Sequence, residues 1–553
     1  MTTAWTAGPL WAARLAAPYL LVVARRHLDC LYLLQLERYR SDRFGRWVAR
    51  HVAQLVPRQE VAIQVLTAFG AAVAAGLGTP GLILYLLWIA GGLLPLRAQR
   101  SFQVSQRLHW TARAVRVSLA SWLVSAVLFW ATGRLAAILV PRLDPGGQLL
   151  LGGIVGCMFT GLFMPGTVRL AARLMEPVET VVARRYLRQA AARMQRYPGR
   201  VVGVTGSYGK TTTKHIVADL LAVRFRVLMT PAGVNTTMGI TRVIREDLRD
   251  EHELFVVEAS AYGPGEIREV CDIVRPGLAI LTAVGVQHLE RFGTPERIAE
   301  AKYELIASLA PAAPAVMNAD DPTCLRLSER ARAEGKRVLL YGLEERPGLA
   351  LSGTILGVSR RGTTFRAAAA SGEAAEFQTK LLGRWNISNV LAALAAGVEY
   401  GIPLAAMRER VGALTPAPRR LEIQEEGGIV RILDVANANP RGAEMALEVL
   451  GQFTGGARIL ITPGMVELGP VEAEENYTLG RRAAGVCDHV VLVGPRQTAP
   501  IRRGLLDGGF PAERIVTVRQ ADEVAERLAG LVRPGDTLLY ENRLPDTYLE
   551  VGP

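Results

Sequence analysis

Cysteine is scarce in this chain and is never closely paired. The five cysteines are spread over 553 residues, and none forms a C-x-x-C pair or a spacing typical of zinc sites. This scarcity excludes a disulfide framework and predicts a reducing compartment. We also expect no cleaved secretory leader, because the first apolar run, PYLLVVARRHLD, continues directly into charged residues. The length predicts about three or four structural units.

Charged residues are missing from several long stretches near the N-terminus. The stretch 61–96 is uncharged and could hold two membrane spans broken at GLGTPG, since one span needs about 20 apolar residues. VSLASWLVSAVLFWATG, from Val117, and GQLLLGGIVGCMFTGLFMPGTV, from Gly147, predict a third and a fourth span. PLWAARLAAPYLLVVA, from Pro9, contains Arg14 and predicts either a fifth span or an interfacial helix. The alternative is a buried helical bundle of a soluble protein.

Acidic residues are also missing from the basic loop 97–116, which carries five arginines. Basic loops stay on the cytoplasmic side of a membrane. We therefore predict a multi-pass protein of the cell membrane whose catalytic domains are cytoplasmic. The formal net charge of +13 is then mainly a feature of membrane topology, and we predict no nucleic-acid partner.

The segment 176–199 follows the predicted spans. Its apolar residues recur at helical spacing among arginines, and it ends at Pro198 and Gly199. This pattern favours an amphipathic linker helix lying on a membrane surface. A plain connector is the alternative.

A phosphate-binding loop is predicted by VVGVTGSYGKTTTKHIVADLL, which begins at Val201. A β-branched strand leads into a glycine turn and then a helix, and such a helix start binds phosphate through its backbone N–H groups. Lys210 would reach the β- and γ-phosphates, and the hydroxyl of Thr211 would bind Mg²⁺. Val204 stands where the common pattern has its first glycine. The predicted ATP-binding residues of the loop are Gly206, Ser207, Gly209, Lys210, Thr211 and Thr212.

Strands and helices alternate from here to the C-terminus. LFVVEAS, LAILTAV, PAVMNAD and RVLLYG predict buried strands of a doubly wound α/β domain. A proline-rich linker, TPAPRR, begins at Thr415, and a second series of strands follows it. We predict transmembrane helices over 1–175, the linker helix over 176–199, a central ATP-binding domain over 200–414 and a Rossmann-like domain over 415–553.

Several motifs in this part of the chain occur together in one known family. VTGSYGKTTT, VVEASAYGPGEI, VGVQHLERFGTPERIAEAKYELI, NADDP, LLGRWNISNVLAALAAG and VANANPRGAEMAL follow one another in this order. From about Arg200 onward the chain resembles the Mur ligase family, and it is most similar to the members that add D-alanyl-D-alanine to a cell-wall precursor. The resemblance implies an α/β fold and an ATP-dependent, ADP-forming ligase that makes an amide bond through an acyl-phosphate.

The resemblance also implies roles for four catalytic residues. Lys210 would bind phosphate, Glu258 would hold Mg²⁺ and His288 would be a ligand of a second metal ion. Lys302 matches the lysine that the family carbamylates. The predicted metal-binding set is therefore Thr211, Glu258, His288 and Lys302. Taken alone, His288 could be an ordinary surface or core histidine, and Lys302 a solvated helix lysine.

Further positions match nucleotide or substrate contacts of the family. The predicted nucleotide-binding residues are Asn318, Asp321, Asn386, Asn389, Arg420 and Asp434. The predicted substrate-binding residues are Asn235, Thr236, Asn437 and Asn439. The alternatives are a polar turn at Asn318 and Asp321 and helix capping by Asn386 or Asn389. Trp385 stands where the family usually has histidine, next to the nucleotide-contacting asparagines. Leu433 and Ala436 also depart from the family pattern, and they put the pocket for the incoming amine in doubt more than the ATP site.

The N-terminal domain that grips the UDP-sugar in soluble family members is not recognisable here. The acceptor could therefore be a small-molecule or a lipid-linked cell-wall precursor, joined to an amino acid or dipeptide. One alternative is a membrane-associated poly-γ-glutamate-type synthetase, although NANP and MVELG argue against it. The other is a non-catalytic membrane scaffold that recruits cell-wall synthesis enzymes.

Overall fold

The computed structural model describes residues 9–56, 58–76, 108–139, 145–435 and 438–544. These residues form two compact units that divide after Val182. Helices and strands of the described residues are labelled in chain order. The first unit is helical, and the second is built on two β-sheets.

The N-terminal unit consists of long helices. They are α1 (Pro9–Leu36), α2 (Ser41–Leu55), α3 (Arg58–Gly76), α4 (Ala112–Leu139), α5 (Pro145–Leu162) and the start of α6 (Met164–Arg196). Close packing of α4 against α5 depends on glycine, because a Cβ atom at Gly133 would lie 2.9 Å from the carbonyl oxygen of Gly152. A buried ion pair joins Arg26 of α1 to Glu60 of α3, and Arg26 also donates to the carbonyl of Gly161 at 2.7 Å.

One described helix could cross a membrane by its length and composition, the Ala112–Leu135 part of α4. A bent pair, Val155–Leu162 with Met164–Arg196, adds a second if it is counted as one span. The prediction of four or five spans is therefore not confirmed. The later part of the predicted stretch 61–96 lies outside the described part of the chain, because residues 77–107 are not described.

The predicted linker 176–199 is helical as far as Arg196, but it is the second part of one helix that begins at Met164. Pro177 lies inside this helix. The residue composition changes near Glu176, but the backbone stays helical through this point.

The central domain begins with alternating strands and helices. These are β1 (Arg200–Thr205), α7 (Lys210–Leu221), β2 (Val227–Met229), α8 (Thr237–Glu246), β3 (Leu254–Glu258), α9 (Glu266–Val274), β4 (Leu278–Leu281), α10 (Leu289–Phe292), α11 (Pro295–Ala307), β5 (Pro314–Asn318), α12 (Pro322–Ala333) and β6 (Arg337–Gly342). Then follow β7 (Leu349–Ser359), β8 (Gly362–Ala369), β9 (Ala374–Thr379), α13 (Arg384–Glu399), a 3₁₀ turn (Leu404–Met407) and α14 (Arg408–Ala413).

The central sheet has nine strands in the order β2-β3-β1-β4-β5-β6-β7-β8-β9. Strands β2 to β7 pair in parallel, as the doubly wound prediction requires, and apolar clusters cover both faces of this part. Strands β8 and β9 extend the sheet in antiparallel fashion, which the sequence analysis did not predict. In β9, buried and exposed residues alternate. Such strands lack the continuous apolar run by which buried parallel strands are recognised.

The C-terminal domain has a second sheet in the order β10-β11-β15-β12-β13-β14. Its strands are β10 (Glu422–Glu426), β11 (Ile429–Asp434), β12 (Arg458–Thr462), β13 (His489–Val493), β14 (Ile515–Val518) and β15 (Thr537–Glu541). Its helices are α15 (Pro440–Gly451), α16 (Glu472–Ala484), α17 (Ala499–Asp507) and α18 (Glu523–Ala529), with 3₁₀ turns at Gly469–Val471 and Ala512–Arg514. Apart from the antiparallel β10 the pairing is parallel, as predicted for a Rossmann-like domain.

Candidate active site

The glycine turn after β1 is shaped by two positions that only glycine fits. Gly206 has a φ of 151°, and a Cβ there would lie 2.1 Å from Oγ1 of Thr282. Gly209 has a φ of 75°, and a Cβ there would lie 2.4 Å from Oδ1 of Asn389. Helix α7 begins directly afterwards, so its free N–H groups and the positive end of its dipole face the turn. The turn and the start of α7 therefore have the geometry predicted for binding a phosphate group.

Lys210 folds back over this turn. Its Nζ donates to the carbonyl of Ser207 at 2.8 Å, and Ser207 is itself fixed by a 2.6 Å bond from its N–H to the carbonyl of Ala283. Burial lowers the pKa of Lys210 to about 8, although the nearby Glu258 carboxylate opposes this shift. The side chain is still mostly cationic at pH 7, so it can neutralise a phosphate.

Glu258, at the carboxyl end of β3, is the centre of a polar cluster. Its Oε1 accepts from Oγ1 of Thr211 and from Nδ2 of Asn235, each at 3.1 Å. Its Oε2 lies 3.3 Å from Nζ of the buried Lys214. Burial alone would raise the pKa of Glu258, but Lys214, Lys210 and these hydrogen bonds lower it overall. The carboxylate is therefore ionised at neutral pH.

These oxygen atoms fit the predicted Mg²⁺. Oε2 of Glu258 has the ion pair with Lys214 but no hydrogen bond to any described residue. A carboxylate oxygen beside a threonine hydroxyl is the kind of hard ligand that Mg²⁺ prefers. In the described ranges, no group of three or more His, Cys, Asp or Glu side chains could hold a metal ion. The remaining ligands would come from phosphate and water, and the four-residue metal set stays a prediction.

His288 is held by a residue of the C-terminal domain. It adopts a left-handed conformation with a φ of 62°, and its Nδ1 forms a short hydrogen bond with the carboxylate of Glu467. Arg291 donates to the other oxygen of Glu467 at 2.7 Å. Burial lowers the pKa of His288 despite this carboxylate. With Nδ1 on Glu467, Nε2 is the ring nitrogen left for another ligand.

Lys302 is buried in α11, with Nζ 5.9 Å from the centre of the Phe292 ring. Burial, with help from the charge of Lys210, lowers the pKa of Lys302 to about 7. A substantial neutral fraction at pH 7 makes this amine nucleophilic, which the predicted carbamylation requires. The modification itself stays a prediction.

A cleft lies between the glycine turn, the start of α13 and the start of α15. Its lining residues are Tyr208, Gly209, Thr212, Thr282, Ala283, Asn318, Trp385, Asn386, Ser388, Asn389, Arg420, Leu421, Asp434, Ala438, Asn439, Arg441, Gly442 and Met445. The structure therefore brings most of the predicted nucleotide-binding residues to one cleft. Neither Asn386 nor Asn389 caps α13, whose N-cap is Gly383.

Asp321 is buried and is bonded to protein groups. It caps α12 by accepting from the N–H of Cys324 at 2.9 Å, and its other oxygen accepts from Arg441 at 2.9 Å. Arg441 also lies 4.9 Å from the centre of the Trp385 ring, which is favourable for a cation–π contact. This contact gives a physical reason for a tryptophan at position 385. The observed contacts of Asp321 are structural, and its nucleotide role stays a prediction.

The predicted substrate residues are placed differently from one another. Asn235 contacts Glu258, whereas Thr236 caps α8 by accepting from the N–H of Gly239. Asn439 caps α15 by accepting from the N–H of Gly442, although it also lines the cleft. Asn437 lies outside the described residues.

Three residues of this site were not predicted as site residues. Lys214 lies four positions after Lys210 and so on the same helix face, which is a signal that the sequence offers. Glu467 lies within the motif MVELG, and Arg441 lies within VANANPRGAEMAL. Their partners, however, lie more than a hundred positions away, and no local pattern identifies such pairs.

Known protein families match both of the domains that contain β-sheets. The Mur ligase middle domain matches residues 204–397, and the glutamate ligase domain of the Mur ligases matches residues 419–540. A UDP-N-acetylmuramoyl-tripeptide–D-alanyl-D-alanine ligase of Bacillus subtilis is 30% identical over 355 residues, which are 64% of this chain and 75% of that protein.

The chain belongs to the Mur ligase family.

Other relatives and solved structures extend this result. The ligase of the same name from Synechocystis is 28% identical over 367 residues, 66% of this chain and 75% of the relative. The crystal structure of the MurF ligase of Thermotoga maritima in complex with ADP superposes with a TM-score of 0.59 at 28% identity, covering 66% of this chain and 81% of that one. MurF of Acinetobacter baumannii gives the same TM-score at 25% identity, with 66% and 78% covered. As a Mur ligase, the protein is an ATP-dependent, ADP-forming amide ligase.

Proposed function

We propose that this Mur ligase activates a carboxyl group of a cell-wall peptide precursor with ATP and joins it to D-alanyl-D-alanine. The names of the Bacillus subtilis and Synechocystis relatives support this choice of substrates. The observation that carries the reaction type is the cluster at the carboxyl edge of the central sheet. There Lys210, Thr211 and Glu258 meet at the start of α7.

The chemistry follows from the charges at this edge. The substrate carboxylate takes the γ-phosphoryl group of ATP, and ADP leaves. The neutral nitrogen of the incoming amine then attacks the acyl carbon, so that the C–N bond forms while the C–O bond to phosphate breaks. Inorganic phosphate leaves, and the nitrogen gives up a proton. Lys210 and the N–H groups of α7 would stabilise negative charge on the transferring phosphoryl group. Thr211 and Glu258 would hold Mg²⁺, which supplies further charge neutralisation when bound.

The two family domains would approach each other around the cleft. Arg441 and Glu467 support this proposal, because both belong to the C-terminal domain and both pair with residues of the central domain. Such contacts complete the site from two sides and exclude water from a reactive acyl-phosphate. Arg420, which lines the cleft, would add positive charge near the nucleotide.

We propose a membrane location for the N-terminal unit. Helix α4 supports it, because its apolar side chains Leu119, Leu123 and Trp130 are 66%, 69% and 67% exposed. Exposed apolar surface of this extent is typical of lipid-facing helices. With such an anchor, the acceptor would be a lipid-linked precursor. Turnover of a soluble UDP-linked tripeptide equal to or faster than that of a lipid-linked substrate would argue against the lipid-linked acceptor.

The activity is tested by measuring ADP release from the full-length chain with precursor and one of three amines, D-alanyl-D-alanine, D-alanine or glutamate. We expect D-alanyl-D-alanine to stimulate release most. Lys210→Ala should reduce the rate at least about 10²-fold, since a positioned charge of this kind typically contributes 10²–10³. Lys380→Ala is the matched control, because Lys380 is exposed and lies outside the cleft.

The outcomes separate the alternatives. Polymer formation with glutamate alone would indicate a poly-γ-glutamate-type synthetase. Undiminished ADP release by Lys210→Ala would contradict the role of the phosphate loop. No release with any amine, from a chain that remains folded, would leave the scaffold as the better interpretation.

A further inference from the structure

A second lysine of α7, Lys214, lies fully buried one helical turn after Lys210. Its side chain is 0% exposed, and lysine is almost never buried to this extent unless it is paired. Lys210 bonds to the carbonyl of Ser207 in the glycine turn. Lys214 instead donates to the carbonyl of Pro231 at 3.1 Å, and its Nζ lies 3.3 Å from Oε2 of Glu258. Because it is not among the residues that line the cleft, Lys214 is not placed to contact a bound phosphate.

The contacts of Glu258 are divided between its two carboxylate oxygens. Oε1 accepts from Oγ1 of Thr211 and from Nδ2 of Asn235, whereas Oε2 faces Lys214. The last torsion of a glutamate side chain has only broad preferences, so neighbouring groups decide how the carboxylate is turned. The ammonium group of Lys214 attracts one oxygen, and the other oxygen then lies beside the hydroxyl of Thr211.

The loop after β2 gives Lys214 a fixed anchor. The carbonyl of Pro231 accepts from the N–H of Val234 at 3.1 Å as well as from Lys214. The preceding residue, Thr230, accepts at its Oγ1 from the N–H of Glu258 at 3.2 Å. The loop is therefore bonded to the backbone of Glu258 and also to the lysine that faces its carboxylate. A side chain held at both ends in this way can fix the orientation of its partner.

We propose that Lys214 is a positioning residue, which holds the carboxylate of Glu258 in the orientation that Mg²⁺ binding requires. Partners of this kind, which bind a metal-ligating group without touching the metal ion, orient the ligand and raise metal affinity. The inference rests on the proposed function, because the Mg²⁺-binding role of Glu258 belongs to that function.

An effect of charge alone would have the opposite sign. A cation close to a metal ligand repels Mg²⁺, so removing the charge of Lys214 would strengthen Mg²⁺ binding if nothing else changed. If Lys214 orients Glu258, removing it weakens Mg²⁺ binding. The direction of the change therefore distinguishes orientation from simple electrostatics.

The test is calorimetry of ADP binding to the full-length chain, once with Mg²⁺ and once with EDTA. Wild type should bind ADP more tightly with Mg²⁺. Lys214→Met should lose most of this enhancement, because loss of such a partner lowers metal affinity by about 10-fold to 100-fold. Its affinity for ADP in EDTA should stay within about 3-fold of wild type, because Lys210 and the N–H groups of α7, which bind phosphate, are unchanged. Lys380→Met, at an exposed position, is the control and should match wild type in both buffers.

The two buffers separate positioning from a general structural role, because a distorted protein would bind ADP more weakly in both. Mg²⁺ enhancement in Lys214→Met equal to or greater than that of wild type would overturn the inference. If wild type shows no enhancement either, the Mg²⁺ role in the proposed function is wrong, and the inference fails with it.

Lys214→Arg provides the decision if Lys214→Met does not fold. It keeps a positive charge beside Glu258, so the buried carboxylate is not left unpaired. The planar guanidinium group does not reproduce the geometry of an ammonium group, so we expect Mg²⁺ enhancement to fall in this variant as well. Full enhancement in a folded Lys214→Arg protein would then overturn the inference.

Discussion

Replacement of Glu467 by glutamine tests the contact between the C-terminal domain and His288. Glutamine keeps the size of the side chain and can still accept a hydrogen bond, but it removes the negative charge shared by His288 and Arg291. We expect Glu467→Gln to be less stable than wild type at neutral pH. We expect this difference in the free energy of unfolding to shrink as the pH falls.

The magnitude follows from the pKa of Glu467. Burial would raise this pKa, but the hydrogen bond from His288 and the charges of His288 and Arg291 lower it from 4.5 to about 2. The lowering corresponds to at most about 3.5 kcal/mol, because one pKa unit is worth about 1.4 kcal/mol. The side chain is only 13% exposed, so screening by solvent reduces this value little.

The sign of the pH dependence is fixed by the direction of this shift. A carboxyl whose pKa is lower in the folded state stabilises the protein above its unfolded pKa, and this contribution is lost as the pH falls through the folded pKa. The contribution of Glu467 is therefore full above about pH 4.5 and falls to under half at about pH 3. Urea denaturation of the full-length chain at pH 7 and at pH 3 measures both values.

The control is Glu474→Gln, because Glu474 is exposed on α16 of the same domain. Its free energy of unfolding should match that of wild type at both pH values. The reasoning is refuted if Glu467→Gln is as stable as wild type at pH 7, or if its deficit is the same at pH 3. Since His288 is a predicted metal ligand, we also expect Glu467→Gln to need roughly 10-fold to 100-fold more Mg²⁺ for ADP release.

Two further predictions concern buried charges. Arg441→Ala removes the ion pair of Asp321, whose side chain is 0% exposed. The free energy of unfolding in urea should therefore fall by about 3–5 kcal/mol, and Arg441→Lys should recover part of this loss. A loss below about 1 kcal/mol would show that the ion pair is dispensable. Lys302→Met should stabilise the protein in bicarbonate-free buffer while abolishing ADP release. Burial lowers the pKa of Lys302 from 10.5 to about 7. The free-energy cost of burying its positive charge is therefore full below pH 7 and disappears as the pH rises to 10.5. A stability gain of Lys302→Met that does not shrink between about pH 6 and pH 10 would contradict this explanation.

Local patterns in the sequence predicted the parallel strands well. Runs such as VVGVT and LFVVE are apolar on both faces because helices cover both sides of the sheet. The antiparallel strands β8 and β9 escaped prediction because exposed or half-buried residues alternate with their buried ones. Their alternating pattern gives a weaker signal than a continuous apolar run.

Glycine positions of the phosphate loop could also be read directly, because Gly206 and Gly209 satisfy a local backbone requirement. The surroundings of His288 could not be predicted from the local sequence. Its partner Glu467 is 179 positions away, and only the folding of two domains against each other brings them together. The same holds for Asp434 and Glu541, which are neighbours because β11 and β15 pair.

The sequence by itself therefore determined the Mur ligase chemistry of this protein, because a phosphate loop and its helix are built from adjacent residues whose backbone conformations depend on their own side chains. Only the tertiary structure decided which charged side chains lie next to one another. Ionisation depends on burial and on neighbours supplied by distant strands, and neither can be read from the order of residues along the chain.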